Sequence, residues 1–146
     1  ATDHAPHPLE DKECEWQEAA FGMLGLETAL SIVQKTMVDT SLMSWDLVAE
    51  RMSHAPARIG GYLHQGQKLA VGSLANLTVI NPTQSWRVDR DLVLSNSSNT
   101  PYHGHELPGV VLHTFFRGKQ TLKNGAMAIS WVTAAVRGHG KAIIST

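Results

Sequence analysis

The sequence predicts an α/β fold, and three observations carry that expectation. The first seven residues, Ala1-Thr2-Asp3-His4-Ala5-Pro6-His7, read as the end of a short strand running into a loop. From Leu24 to Val38 the apolar side chains fall at helical spacing. After Gly66 that period stops, and Gly66, Gly72 and Pro82 separate short β-branched runs that suit strands.

The opening comes first in the chain. Pro6 and Pro8 forbid continuing a strand or beginning a regular helix. Asp3 therefore falls at a strand's C-terminal end, with His4 and His7 on the following loop. In a parallel α/β barrel that edge gathers catalytic groups. An aspartate is a hard oxygen ligand for a divalent metal and can also carry a proton. Residues 8–20 lack an apolar period and include Glu10, Asp11, Glu13, Glu15 and Glu18, so they read as a solvated acidic loop.

The next elements are helical. Leu26, Ala29, Leu30, Val33 and Met37 predict a helix over 25–38 that ends at Asp39-Thr40, with Glu27 in the first turn where a carboxylate suits the helix dipole. Ser44 reads as an N-cap, with Asp46 close behind it. Trp45, Leu47, Val48 and Met52 predict an amphipathic helix over 45–52. It is expected to stop before Pro56, because the residue ahead of a proline avoids helical angles. Pro56 then opens a short helix from Ala57 to Gly60, with Gly61 past its end. His54, Arg58 and His64 read as structural.

Strands follow. Leu77-Thr78-Val79-Ile80 is a strand, and Val88 to Leu94 reads as another short extended piece. Residues 96–101 form a turn-rich loop. Val110 to Arg117 alternates as a strand does, Gly118-Lys119 turns it, and Gln120 to Leu122 returns as a hairpin. His103, His105 and His113 read as surface residues, since a metal site needs a converging third ligand.

Composition bounds the rest. The 146 residues suffice for one modest domain. The net charge of −1, with both signs interspersed, argues against nucleic acid, which wants a basic patch. Cys14 is the sole cysteine, so no internal disulfide forms, which fits a reducing cytoplasm. The N-terminus does not look like a signal peptide. The run from Ala126 to Val136 is far short of the ~20 residues that a membrane span needs.

The string ATDHAPH closely resembles the last barrel-strand motif of bacterial dihydroorotases, in the metal-dependent amidohydrolase superfamily. Hydantoinases and allantoinases share the Asp-His pair but usually lack the following Ala-Pro-His, so His7 favours dihydroorotase. The resemblance continues through Ala20-Phe21-Gly22-Met23-Leu24-Gly25-Leu26-Glu27-Thr28-Ala29, His54-Ala55-Pro56-Ala57-Arg58, Gly72 to Ile80, and Asn99-Thr100-Pro101-Tyr102. It covers residues 1–125. It implies the C-terminal part of a (β/α)8 TIM barrel of a metal-dependent hydrolase, followed by strands of a small β-sandwich. Residues 1–64 would be the last barrel strand, active-site loop and closing helices. Residues 65–125 would be sandwich strands, and 126–146 a tail that matches nothing in the family. Asn76 stands where the superfamily prefers Asp.

The resemblance also implies a chemistry: reversible ring closure of N-carbamoyl-L-aspartate to L-dihydroorotate, in de novo pyrimidine synthesis, with zinc as cofactor. It makes Asp3 both metal ligand and general acid/base. His7 would hold the substrate carboxylate by a charge-assisted hydrogen bond. Phe21 and Gly22 would touch the substrate, because glycine lets a backbone amide approach a flat cyclic imide closely. Taken alone, the two read as a packing aromatic and a helix-entry glycine. His4 would orient the loop or the aspartate. The family's remaining zinc ligands lie upstream of this stretch, so the chain alone is expected to be inactive and to bind zinc weakly. A homo-oligomer is expected of the full-length protein, with aspartate transcarbamoylase a further partner. The rival readings are another cyclic amidohydrolase, of hydantoinase or allantoinase type, and a non-catalytic subunit that scaffolds aspartate transcarbamoylase.

Overall fold

The computed structural model describes residues 2–128. They form an α/β arrangement of short helical segments followed by one four-stranded sheet of order β1-β2-β3-β4. The strands are β1 (Leu77–Arg87), β2 (Glu106–Phe116), β3 (Lys119–Lys123) and β4 (Ala126–Met127). Two compact units share the described residues: 2–53 together with 81–110, and 54–80 together with 111–128.

Within the first of these units, α1 (Ala29–Val33) starts later than the periodicity predicts and passes directly into a π-helical turn, Gln34–Val38. The Asp39 N–H donates to the Gln34 carbonyl at 2.9 Å, the five-residue step of that wider turn. Glu27 is not in the first turn. It precedes the helix, and its Oε1 accepts the Leu94 N–H at 3.0 Å. A loop amide has taken the carboxylate that the helix dipole was expected to hold.

A buried polar chain ties α1 to the strands. Trp86 Nε1 donates to Ser31 Oγ at 2.9 Å, and Ser31 Oγ donates to the Gly109 carbonyl at 3.1 Å. Gln34 Nε2 donates to the Pro82 carbonyl at 2.8 Å. Pro82 is tolerated because β1 is an edge strand, where no ladder hydrogen is owed. Leu24, Val48, Val88 and Leu107 supply this unit's buried apolar side chains.

Ser44 caps α2 (Trp45–Ala49) as expected, its Oγ accepting the Leu47 N–H at 3.2 Å. The helix does not stop before Pro56. It continues as a π-helical stretch, Glu50–His54, into α3 (Ala55–Ile59). A proline ring clashes with the preceding turn and lacks an N–H, and widening that turn accommodates both faults. The end matches the expectation. Gly61 N donates to Arg58 O at 3.3 Å and Tyr62 N to Ala57 O at 2.9 Å, the paired bonds of a Schellman motif.

The strands run longer than predicted, except that 88–94 is not one. There Asp89 Oδ1 accepts the Asp91 N–H at 3.0 Å and Asp89 O accepts the Leu92 N–H at 3.1 Å, closing a turn. The first hairpin turns at Arg117-Gly118, one residue earlier than expected, with φ of 52° and 81°. Phe116 therefore faces Lys119 in an antiparallel pair. Asn76 steadies this turn. Its Oδ1 accepts the Arg117 N–H at 2.7 Å while its Nδ2 donates to His64 O at 2.6 Å. An aspartate at 76 could make only the first bond. A second hairpin, with Asn124-Gly125 at φ of 51° and 78°, adds β4, where the sequence reading placed the start of an unmatched tail. The rest of that tail, residues 129–146, lies outside the described residues.

No helix among the described residues is long and apolar enough to cross a membrane. Many large apolar side chains stay exposed, Leu26, Leu42, Leu92 and Leu94 among them in the first unit.

Candidate functional site

The site is built where the opening loop lies against residues 21–25. The expected strand before Asp3 is reduced to one isolated parallel bridge, His4 with Met23. A parallel strand gains its bonds from flanking strands. Among the described residues, this single neighbour contributes one backbone bond, Ala5 N–H to Met23 O at 2.9 Å. Asp3 thus precedes the bridge instead of ending a strand. Its φ is 49°, a left-handed conformation that aspartate tolerates better than most residues. The residue is exposed, and its carboxylate has no partner among the described residues.

The two histidines are both committed, in different ways. His4 Nδ1 accepts the Gly25 N–H at 3.1 Å, so this ring anchors the loop to the start of the next segment. His7 Nε2 stands 2.8 Å from the Phe21 carbonyl. A carbonyl only accepts, so Nε2 carries the proton and Nδ1 is the nitrogen left over. The His7 residue is half-buried, while Phe21 is 93% exposed.

Gly22 is where the two segments touch most closely. A Cβ there would overlap the Ala5 methyl, and its φ of 106° is one that side-chain-bearing residues rarely adopt. Lys12, half-buried in the acidic loop, fixes the rest. Its Nζ donates to Ala20 O at 2.6 Å and Gly22 O at 3.0 Å. The carbonyls of 20, 21 and 22 are therefore all taken. The N–H groups of Phe21 and Gly22 donate to no other described residue. Glu10, Asp11, Glu13, Glu15 and Glu18 remain exposed around this strap, as a solvated loop should.

Asn99 is the residue that sequence reasoning left out. Its Nδ2 donates to Ala5 O at 2.8 Å and its Oδ1 accepts the His7 N–H at 3.3 Å. Its own carbonyl accepts the Leu24 N–H at 3.2 Å. The Asn-Thr-Pro-Tyr string was visible in the sequence, but nothing near it in the chain names Ala5 or His7 as partners.

Three other histidines make structural bonds. His54 Nδ1 meets the Gly66 carbonyl. His103 Nδ1 accepts the Arg90 N–H at 3.1 Å and lies 3.8 Å from Asp89. His113 Nδ1 accepts the Asn124 N–H at 3.3 Å. No group of three or more His, Cys, Asp or Glu converges to hold a metal among the described residues. Asp3 fits a metal as one oxygen donor, exposed and uncommitted. It does not complete a site, since a catalytic zinc needs about three protein ligands.

No family model matches the chain. Individual proteins do. The chain is 56% identical over 127 residues to the dihydroorotase of Streptomyces coelicolor, covering 87% of this chain and 30% of that protein. It is 50% identical over 122 residues to the dihydroorotase of Mycobacterium leprae, covering 84% and 28%. Against the dihydroorotase of Mycobacterium tuberculosis it is 47% identical over 125 residues, covering 86% and 29%. Among solved structures, an L-hydantoinase (dihydropyrimidinase) from Arthrobacter aurescens superposes with a TM-score of 0.78 at 32% identity, covering 87% of this chain and 29% of that one. A dihydropyrimidinase from Brevibacillus agri gives 0.76 at 22% identity, covering 86% and 28%, and shows the fold alone. The chain belongs by sequence to the dihydroorotase family of cyclic amide hydrolases, and it spans about 30% of the length of the curated relatives it matches.

Proposed function

We propose that this chain is the C-terminal portion of a dihydroorotase, a zinc-dependent hydrolase that interconverts L-dihydroorotate and N-carbamoyl-L-aspartate in de novo pyrimidine synthesis. One observation carries the reading: a carboxylate at Asp3 and two backbone amides at Phe21-Gly22, all without partners among the described residues, and an imidazole at His7 are mounted on two segments fastened to each other. On this reading residues 1–64 belong to the end of a (β/α)8 barrel and 65–125 to an adjoining β-sandwich, with the rest of the barrel in the greater length that the relatives have. The exposed leucines fit faces that the rest of such a protein would cover. Homo-oligomerisation, docking on aspartate transcarbamoylase and a cytoplasmic location belong to the longer protein on this reading.

The chain's own residues divide the work. Asp3 would be one ligand of the zinc, with the others supplied from outside these residues. The zinc, when bound, would make water more acidic and polarise the ring carbonyl. Asp3 takes the proton from the attacking water and gives it to the departing ring nitrogen, which one carboxylate can do when it touches both. The N–H groups of Phe21 and Gly22 hydrogen-bond the planar ring edge. His7 receives the substrate carboxylate at Nδ1. With Nε2–H already on Phe21 O, this requires both ring nitrogens protonated, which gives a charge-assisted bond.

The hydantoinase-type reading has a specific observation behind it, the superposition on an L-hydantoinase. His7 separates the two. In the full-length enzyme, His7→Ala is expected to raise KM for dihydroorotate at least about tenfold, the cost of a charged hydrogen bond, and to leave 5-substituted hydantoins without a carboxylate nearly unaffected. Equal losses on both, or hydantoin as the better wild-type substrate, would favour the rival.

A further inference from the structure

We propose that Asn99 is a positioning residue for His7, and through it for the carboxylate end of the substrate. The inference rests on the reading of His7 as the group that meets that carboxylate, and it adds a residue beyond those that would touch substrate.

The geometry is specific to asparagine. The loop from Ala5 to His7 passes through Pro6, which has no N–H. It therefore offers the Asn99 side chain one carbonyl, at Ala5, and one N–H, at His7. A primary amide is the complement of that pair: one donor and one acceptor in a single plane. The partners also fix which way the amide faces, since Ala5 O can only accept and the His7 N–H can only donate. Meanwhile the Asn99 main-chain carbonyl holds the Leu24 N–H. One residue thus grips both segments of the site from far along the chain, with separations of 92 and 94 on the loop side.

Without that amide, the position of the His7 backbone depends on its neighbours alone, and its ring on one bond to Phe21 O. Asp3 stands on the far side of His4, whose ring is pinned separately to Gly25. Loss of Asn99 should therefore disturb substrate binding more than proton transfer.

The test uses the full-length enzyme and three variants. Asn99→Asp keeps the shape but sets an acceptor against Ala5 O. Asn99→Ala removes both bonds. Asn99→Gln keeps the amide one methylene out of place, which guards against the first two failing to fold. For dihydroorotate, the expected result is a KM raised about tenfold in Asp and Ala, less in Gln, with kcat within about threefold of wild type. In the His7→Ala background, Asn99→Ala should add less than about twofold, because its effect runs through the ring already removed. The His7 ring resonances in histidine-labelled enzyme, identified by their loss in His7→Ala, should shift in Asn99→Asp. Unmoved resonances, an unchanged KM in every folded variant, or full multiplicativity with His7→Ala would overturn the proposal. A wild-type enzyme that does not hydrolyse dihydroorotate would instead sink the functional reading, and the resonance shift would still decide whether Asn99 sets the ring.

Discussion

The site loop and the hairpins from β2 to β4 are held in opposite ways. In the hairpins the same bond repeats, and turns of two residues set the pairing: Phe116 with Lys119, and Lys123 with Ala126. In the loop almost nothing repeats. One backbone bridge, one lysine, one asparagine and two imidazoles each make a bond that no neighbour duplicates. A ladder shares a fault among its rungs. The loop has no such redundancy, so a change at one point should move the groups that do chemistry. It follows that equal backbone faults should have unequal consequences in the two regions.

The largest effect is expected at Gly22. Gly22→Ala puts a Cβ into the Ala5 methyl at a φ of 106°, which alanine rarely adopts. In the full-length enzyme we expect dihydroorotate hydrolysis to fall about 100-fold or more, as misplacement by about 1 Å can do. Steady-state kinetics on the purified variant, with its melting temperature alongside, checks this. Retained activity would mean that the contact between the two segments is not needed.

The matching fault in the hairpins should be much milder. Gly125→Ala forces a side chain onto a residue at φ of 78°, with nothing closer to the new Cβ than Val111 O at 3.9 Å. The expected cost is about 1–2 kcal/mol of stability, the price of a left-handed alanine. Thermal melting reads that loss, and kcat/KM for dihydroorotate should stay within about twofold. A collapse of activity here would erase the contrast between the regions.

The same contrast explains what could be read from the sequence. Ser44 and Gly61 were legible because a cap and a Schellman glycine act on residues three or four positions away. The hairpin at Arg117-Gly118 is nearly legible, one residue from the expected Gly118-Lys119, because a glycine suits either position of a two-residue turn. Asn124-Gly125 is a strong local turn signal, although it lies where the family resemblance ends. The course of the helix through Pro56 was not legible, because the π-helical stretch that absorbs the proline leaves no periodic mark in so few residues. The roles of Asp3, His7, Phe21 and Gly22 rest on family resemblance, whereas the residues alone read as a strand end, a loop histidine, a packing aromatic and a helix-entry glycine. Asn99 and Lys12 escaped because their partners are backbone carbonyls and amides, which any sequence supplies at every position.

The central claim is that the Asp3 carboxylate carries the proton during ring opening. Replacing it with asparagine keeps the size and removes the titrating group. The decisive measurement is kcat for dihydroorotate hydrolysis by full-length Asp3→Asn at matched zinc occupancy, determined by metal analysis of the same samples. The expected result is a fall of about 100-fold or more, the usual worth of a positioned general acid/base. A variant that binds zinc fully and turns over within about threefold of wild type would contradict the claim.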